Sequence, residues 1–232
     1  LLRFLFTIFG TGFHTFGPTL AYLLMPLALL AMFAASTVAI FQVDIKRMLA
    51  YSSIAQLGYM VLGLSFASVT GLMATILHLF NHALMKGGLF MALGAVVMRL
   101  GGATIGHMRG LGRRMPWTMA AFVTGGLSLI GVPLTVGFIS KWYLVAAALE
   151  AGLWPIAVLV VASSLLAVIY IWRVVEAAYL EESEGDSTPV EAPAALLVPT
   201  WILIGANIYF GVDASLTTRV AAAAARVLLG TG

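Results

Sequence analysis

Cysteine is absent from the 232 residues, which excludes disulfides, thiolate zinc sites, thiol-attached haem and iron–sulfur ligation. Any electron-transfer group that works with this chain must sit in another subunit, and no cofactor is expected here. Charge is nearly as scarce. Only 9% of the residues are charged and 62% are hydrophobic, whereas a soluble domain is about a quarter charged. A soluble globular domain is therefore excluded; the chain is an integral membrane protein in contact with the lipid bilayer, and no nucleic-acid partner is expected. Alternating apolar segments of about ten residues are also missing. The long runs are built from Leu, Ala, Met and Gly, so the fold class is all-α: a multi-spanning helical bundle rather than a barrel. Finally, no carboxylate lies deep in any apolar run, because Asp44, Glu150 and Glu176 all fall near run ends.

What is there divides into spans. The opening "LLRFLFTIFGTGFHTFGP" has neither an initiator methionine nor the basic-then-apolar order of a signal peptide, and it reads as the tail of a helix already under way. Apolar runs then cover 20–43, 48–67, 70–99, 117–149, 154–175 and 194–212, each ending at charge or at Gly/Pro breaks. The fourth run is too long for one crossing and contains "GVPLTVG" at 131–137. Pro133 removes a backbone donor there, among residues of weak helix preference, so a discontinuous helix is expected. The basic groups "DIKR" (44–47), Arg99 and "RGLGRR" (109–114) fall on one side, cytoplasmic by the positive-inside rule, and Arg173 returns to it. The acidic stretch "EESEGDSTPVE" (181–191) reads as a solvated connector. "RVAAAAARVLL" near the C-terminus is either an interfacial amphipathic helix or a frayed end.

Against this apolar background, His78, His82 and Lys86 stand four residues apart within the run 70–99. On a helix they form one polar stripe. A lysine at bilayer depth costs about 2.5–3.5 kcal/mol on insertion scales, and such residues usually face a bundle interior or hydrated cavity that serves an ion or proton path. Histidine adds a proton exchangeable near neutral pH. The plainer alternatives are a histidine that only bonds a neighbouring helix and a lysine that snorkels to the interface, although the reach from Lys86 is long. Two histidines at this spacing could also bind a metal, but the helix offers no Asp or Glu ligand, so no metal is expected. Asn81 sits about 100° round the helix from His82 and need not belong to the stripe. A second lysine, Lys141, follows the break in "VGFISKW", and discontinuous membrane helices place helix ends and freed carbonyls at ion sites. With no deep carboxylate in the chain, an acidic partner for Lys141 would have to come from elsewhere.

Three segments, "VDIKRMLAYSSIAQLGYMVLGL" (43–64), "HLFNHALMKGGLFM" (78–91) and "LIGVPLTVGFISKWYL" (129–144), resemble the second half of the antiporter-like subunits shared by Mrp-type cation/proton antiporters, respiratory complex I and membrane-bound hydrogenases. The resemblance implies the second of two inverted repeats. In that frame residues 1–17 are the tail of a preceding helix and its loop, 18–180 the proton-translocating repeat, 181–193 a polar loop, 194–213 a closing helix and 214–232 a C-terminal tail. His78, His82 and Lys86 would belong to a central hydrophilic axis, and Lys141 would be the terminal proton-exchanging residue. Asp44 and Lys46 match the family's "DIKR" turn as support, through helix capping and contact with lipid phosphates.

The function this implies is proton conduction within a multisubunit complex, with a lean toward Mrp-type Na+/H+ antiport. The alternative is a proton-pumping subunit of complex I or a membrane-bound hydrogenase, and a non-transporting scaffold is the reading from another class. The implied partners are other membrane subunits, protons and, in the Mrp reading, Na+. No catalytic chemistry of its own is expected unless the chain is a translocase subunit of complex I, and the implied location is a bacterial or archaeal plasma membrane. Charges about 8 Å apart at an effective dielectric of about 20 interact by about 2 kcal/mol, enough to move a proton equilibrium more than tenfold.

Overall fold

The computed structural model of the chain describes Leu5, residues 13–182 and residues 190–230. The tail expected over 1–17 lies outside these residues except for Leu5 and for 13–17, which already belong to the first delimited helix. Most of the acidic stretch also lies outside them. Among the described residues the chain is helical and has no strand. The long helices are α1 (Phe13–Ile40), α2 (Ile45–Ser65) and α3 (Val69–Leu100). Two single-turn helices follow, α4 (Ile105–Met108) and α5 (Leu111–Arg114), then α6 (Pro116–Ile130), α7 (Val136–Glu150), α8 (Trp154–Tyr179), α9 (Ala194–Val212) and α10 (Ser215–Leu229). By length and composition α1, α2, α3, α8 and α9 can each cross a membrane, and α6 is a shorter apolar helix. The protein is a multi-pass membrane bundle.

Helix starts differ by a few residues from the apolar runs for a definite reason. Hydropathy drops at Asp44, Lys46 and Arg47, but backbone hydrogen bonding does not. The Asp44 carboxylate accepts from the Arg47 amide at 3.0 Å and caps α2, so the charged residues occupy its first turn. Ser68 caps α3 in the same way, and Gly101 closes it in the left-handed conformation at φ 74°.

The fourth run is broken where expected. α6 ends at Gly131, whose φ of 95° suits glycine, and the amides of Gly131 and Val132 both turn back to the Leu127 carbonyl at 3.0 Å. Leu134 carries the opposite kind of evidence: φ 71° is a strained conformation for a leucine, held in place between two helices that are themselves packed. α7 restarts at Val136. Its second residue, Gly137, donates its amide to Ser128 Oγ at 3.2 Å, and a Cβ on Gly137 would collide with the Ser128 carbonyl oxygen. The two half-helices thus overlap side by side at the break.

α3 is the hub, touching α2, α6, α7, α9 and α10. Its buried face carries Leu72, Leu77, Met85, Leu89 and Leu93. α10 is a formed helix rather than a frayed end: Ala221, Ala225 and Leu229 pack with Leu64, Leu72 and Leu77.

The basic groups at 46–47, 99, 109–114 and 173 collect at one end of the bundle. Asp44 bridges to Thr104, the Gly110 amide bonds the Ala177 carbonyl at 3.0 Å, and the Arg173 guanidinium donates to the carbonyls of Ile40 and Gln42, closing the end of α1. Glu191 departs from the expected solvated connector. Its carboxylate accepts from the Trp117 amide at 2.8 Å and from the Thr118 hydroxyl at 2.5 Å, so it caps α6 from 73 residues away. Arg99 Nε donates to its carbonyl at 3.0 Å. A carboxylate at a helix N-terminus satisfies orphan amides and complements the helix dipole. Glu191→Ala is expected to destabilise the purified assembly by about 0.5–2 kcal/mol, the usual loss of a cap, measured as a lower thermal midpoint; an unchanged midpoint would show the contact to be incidental.

Candidate functional site

The stripe on α3 faces inward. His78 is 2% exposed and Lys86 7% exposed, with half-buried His82 between them, and the rings of His78 and His82 lie 6.5 Å apart and nearly parallel at 13°. His78 is held from both sides. Its Nε2 lies 2.9 Å from Gln56 Oε1 on α2, and its Nδ1 lies 2.8 Å from Ser140 Oγ on α7. A neutral imidazole with the proton on Nε2 donates to Gln56 and accepts from the Ser140 hydroxyl. When both ring nitrogens carry protons, Ser140 can accept instead and turn its own hydrogen to the Gly137 carbonyl, 3.4 Å away. The surroundings of His78 therefore accommodate it in either protonation state. His82 differs: its Nε2 is buried and has no hydrogen-bond partner among the described residues.

Lys86 reaches from α3 to α2. Its Nζ donates to the Leu49 carbonyl at 2.6 Å and to the Ser52 hydroxyl, whose hydrogen goes to the same carbonyl at 2.9 Å. It is thus anchored inside the bundle and does not snorkel.

Lys141 sits at the break. Its Nζ donates to the carbonyls of Leu129 and Ile130, each at 2.9 Å, which the turn at Gly131 has left without helical partners. These are the last carbonyls of α6, the negative end of its dipole. Nζ also lies 4.9 Å from the centre of the Tyr59 ring, a cation–π distance. Tyr59 touches His78 as well, with ring centres 5.6 Å apart, and its hydroxyl donates to Ser163 on α8 at 3.0 Å. Desolvation opposes an ammonium charge, whereas carbonyl acceptors and an aromatic face favour it. Both influences act on Lys141.

The structure thus brings His78 and Lys141 to the same Tyr59 ring, with His82 and Lys86 continuing along α3. Asp44 and Lys46 stand apart from this row: Asp44 caps α2 at the end of the bundle and Lys46 is exposed. Among the described residues no carboxylate meets Lys141; its acceptors are backbone carbonyls. Sequence reasoning passed over Ser140, Gln56 and Tyr59 as parts of the site, and left Asn81 aside because of its angle. Asn81 is buried and its Nδ2 donates to the Val136 carbonyl at 2.7 Å, so it fixes the start of α7. The available signal was polarity within apolar runs, shared by all four.

Residues 2–167 match the family described as NADH:quinone oxidoreductase/Mrp antiporter, TM. Over 181 residues the chain is 46% identical to NADH-quinone oxidoreductase subunit N of Desulforudis audaxviator, covering 72% of this chain and 36% of that protein. A chain in the structure of the membrane-bound sulfane sulfur reductase, an archaeal respiratory membrane complex, superposes with a TM-score of 0.83 at 33% identity, over 91% of this chain and 43% of the other. A chain of the Mrp complex from Dietzia sp. DQ12-45-1b has the same fold, with a TM-score of 0.84 at 23% identity over 90% of this chain and 47% of the other. The chain spans less than half the length of each of these three relatives.

If the break is as tight as its geometry shows, Gly137→Val should cost about 1–3 kcal/mol through overpacking, read as a lower thermal midpoint of the assembly. A variant as stable as the parent would contradict the side-by-side contact with Ser128.

Proposed function

The chain belongs to the NADH:quinone oxidoreductase/Mrp antiporter transmembrane family, and on that premise we propose that it is a proton-conducting, antiporter-like subunit of a redox-driven membrane complex. The observation that carries this reading is the row of Lys86, His82 and His78, which meets at the Tyr59 ring a lysine that binds the open end of a discontinuous helix. Protons enter the row along buried polar side chains, pass Lys86, His82 and His78 in turn, and exchange at Lys141. Water bridges the intervals that the side chains do not span. Asp44 supports the row by capping the start of α2, one turn before the Leu49 carbonyl that receives Lys86, and exposed Lys46 supports it by contact with lipid phosphates.

The lean toward Mrp-type antiport gives way to the oxidoreductase reading. The curated relative at 46% identity is named an NADH-quinone oxidoreductase subunit, whereas the likeness to the Mrp chain is one of fold, at 23% identity. In the redox reading the energy comes from electron transfer in other subunits, consistent with a chain that has no cysteine. The partners are the neighbouring membrane subunits of that complex, protons are the transported species, and the location is a prokaryotic plasma membrane. Na+ exchange is the rival that the test must separate.

Everted vesicles carrying the intact complex provide that test. Addition of an electron donor should acidify vesicles with the parent complex, and Lys141→Ala should abolish acidification while the complex still assembles. Sodium added to vesicles with a preset proton gradient should collapse it no faster than a potassium control. Acidification unaltered by Lys141→Ala would sink the assignment of that lysine, and a sodium-dependent collapse lost in the variant would return the chain to cation/proton antiport.

A further inference from the structure

α8 is an apolar crossing helix that buries a phenol. Tyr170 is 0% exposed, and its hydroxyl closes no hydrogen bond among the described residues. Native proteins rarely leave a buried polar group unmet, because water has been given up and nothing replaces it. Two contacts fix where Tyr170 lies. The Tyr59 hydroxyl of α2 donates to Ser163 of α8 at 3.0 Å, while Arg173 of α8 donates to the carbonyls of Ile40 and Gln42, just before α2 begins. Later positions on α8 therefore meet earlier positions on α2, and the two helices run antiparallel. Tyr170 follows Ser163 by seven residues, and Ser52 precedes Tyr59 by seven. Seven residues are about two turns, so each helix returns to the same face about 10 Å further on. This register sets Tyr170 opposite Ser52.

The immediate surroundings agree with the register. The polar side chains acting on the Tyr170 hydroxyl are those of Ser52 and Tyr59, and its ring belongs to the core that holds Met48, Leu49 and Met85. Ser52 is in turn the residue that receives Lys86: its Oγ accepts from Nζ and its hydrogen goes to the Leu49 carbonyl. A hydroxyl has one hydrogen to give and two lone pairs to receive. One lone pair of Ser52 is thus still open beside a phenol with an unused hydrogen. Around Lys86 itself, His82 lies one turn back on α3 and the Phe90 ring 5.9 Å away. α2 presents Ser52 and the Leu49 carbonyl, with capping Asp44 and exposed Lys46 and Arg47 at its start. α6 carries no titratable residue, Lys141 of α7 stands at the Tyr59 end of the row, and Tyr209 of α9 and both arginines of α10 are exposed. Arg173 of α8 is held by its two carbonyls.

We propose that Tyr170 is a positioning residue for proton release from Lys86: its hydroxyl donates to Ser52 Oγ while Ser52 turns its own hydrogen to the lysine nitrogen. This rests on the proton-conducting reading above and extends it to α8. An ammonium has three hydrogens and no lone pair, so Ser52 can only accept from it. When the proton moves on to His82, whose buried Nε2 has no hydrogen-bond partner among the described residues, Nζ is left neutral with a lone pair that needs a donor. Ser52 supplies it by turning away from the Leu49 carbonyl, which keeps an amine hydrogen from Nζ. The balance is one proton moved from lysine to imidazole; the serine and the phenol keep their own. A hydroxyl that receives a hydrogen bond becomes a stronger donor and a weaker acceptor, so Tyr170 favours the neutral amine over the ammonium. The phenol orients Ser52 and carries no proton itself.

The test uses the intact complex in everted vesicles with Tyr170→Phe, which removes only the hydroxyl, alongside Ser52→Ala, the double variant and Lys141→Ala. Initial donor-driven acidification is measured from neutral to alkaline pH and divided by uncoupled electron transfer at each pH. Tyr170→Phe should assemble, lose acidification about two- to tenfold at neutral pH, the worth of one hydrogen bond, and recover it as the pH rises, because Lys86 then needs a more alkaline medium to give up its proton. Adding Tyr170→Phe to Ser52→Ala should change nothing more, since the phenol acts through that serine. Parent values at every pH in Tyr170→Phe, with Lys141→Ala inactive, overturn the role of Tyr170 and leave the row standing. Parent values in both overturn the functional reading itself. A loss that is equal at every pH means packing, and a further loss in the double variant means that the phenol does not act through Ser52; either overturns the proposal. Should Tyr170→Phe not assemble, a high-resolution map of the parent complex decides: Tyr170 Oη within hydrogen-bond distance of Ser52 Oγ supports the proposal, and Oη bonded to another group instead overturns it.

Discussion

The constraint on which the rest depends is the need to satisfy backbone polar groups inside a bilayer. A helix interrupted at membrane depth leaves carbonyls on one side of the gap and amides on the other, with no water in the hydrocarbon to take them. Here the carbonyls of Leu129 and Ile130 receive the ammonium of Lys141. The Gly137 amide donates to Ser128 Oγ, and the carbonyl of Val136 accepts from Asn81. Breaking the helix and burying a lysine would each be costly alone. Together each supplies what the other lacks, across a sequence separation of 12 residues to Leu129 and 11 to Ile130.

The same exchange makes the site responsive. Hydrogen bonds to carbonyls and the Tyr59 face favour a charged lysine, while burial opposes it. Both act on the same ammonium, and a neighbouring charge adds a third influence of comparable kind. A nearby protonated histidine or a charged group of another subunit, about 8 Å away, would supply about 2 kcal/mol at an effective dielectric of about 20. The row from Lys86 to Lys141 is therefore a set of coupled groups rather than four independent ones.

The fold was largely legible from the sequence because bilayer thickness converts hydropathy directly into helices. The inward stripe followed from a spacing of four, and the break from Pro133 among Gly131, Thr135 and Gly137. Less legible were the contacts made between helices. Nothing in the order of residues shows that Ser140 and Gln56 meet at His78, since they come from α7 and α2. Angular position on α3 separated Asn81 from the stripe correctly, but a helix in a bundle has neighbours on more than one side. Glu191 misled for a related reason: an acidic, polar stretch looks solvated whether or not one of its carboxylates finds a helix N-terminus distant in sequence. Nor does residue order show that the acceptors Lys141 finds within the described residues come from the main chain.

The most direct measurement replaces Lys141 by arginine in the intact complex and compares donor-driven proton translocation with assembly and thermal stability. Arginine can reach the same carbonyls but does not give up its proton in a protein. The account predicts a complex that assembles, remains stable and no longer translocates protons through this subunit. Translocation at the parent rate in that variant would show that the lysine serves only to hold the broken helix together, and would contradict the claim that its proton is the one exchanged.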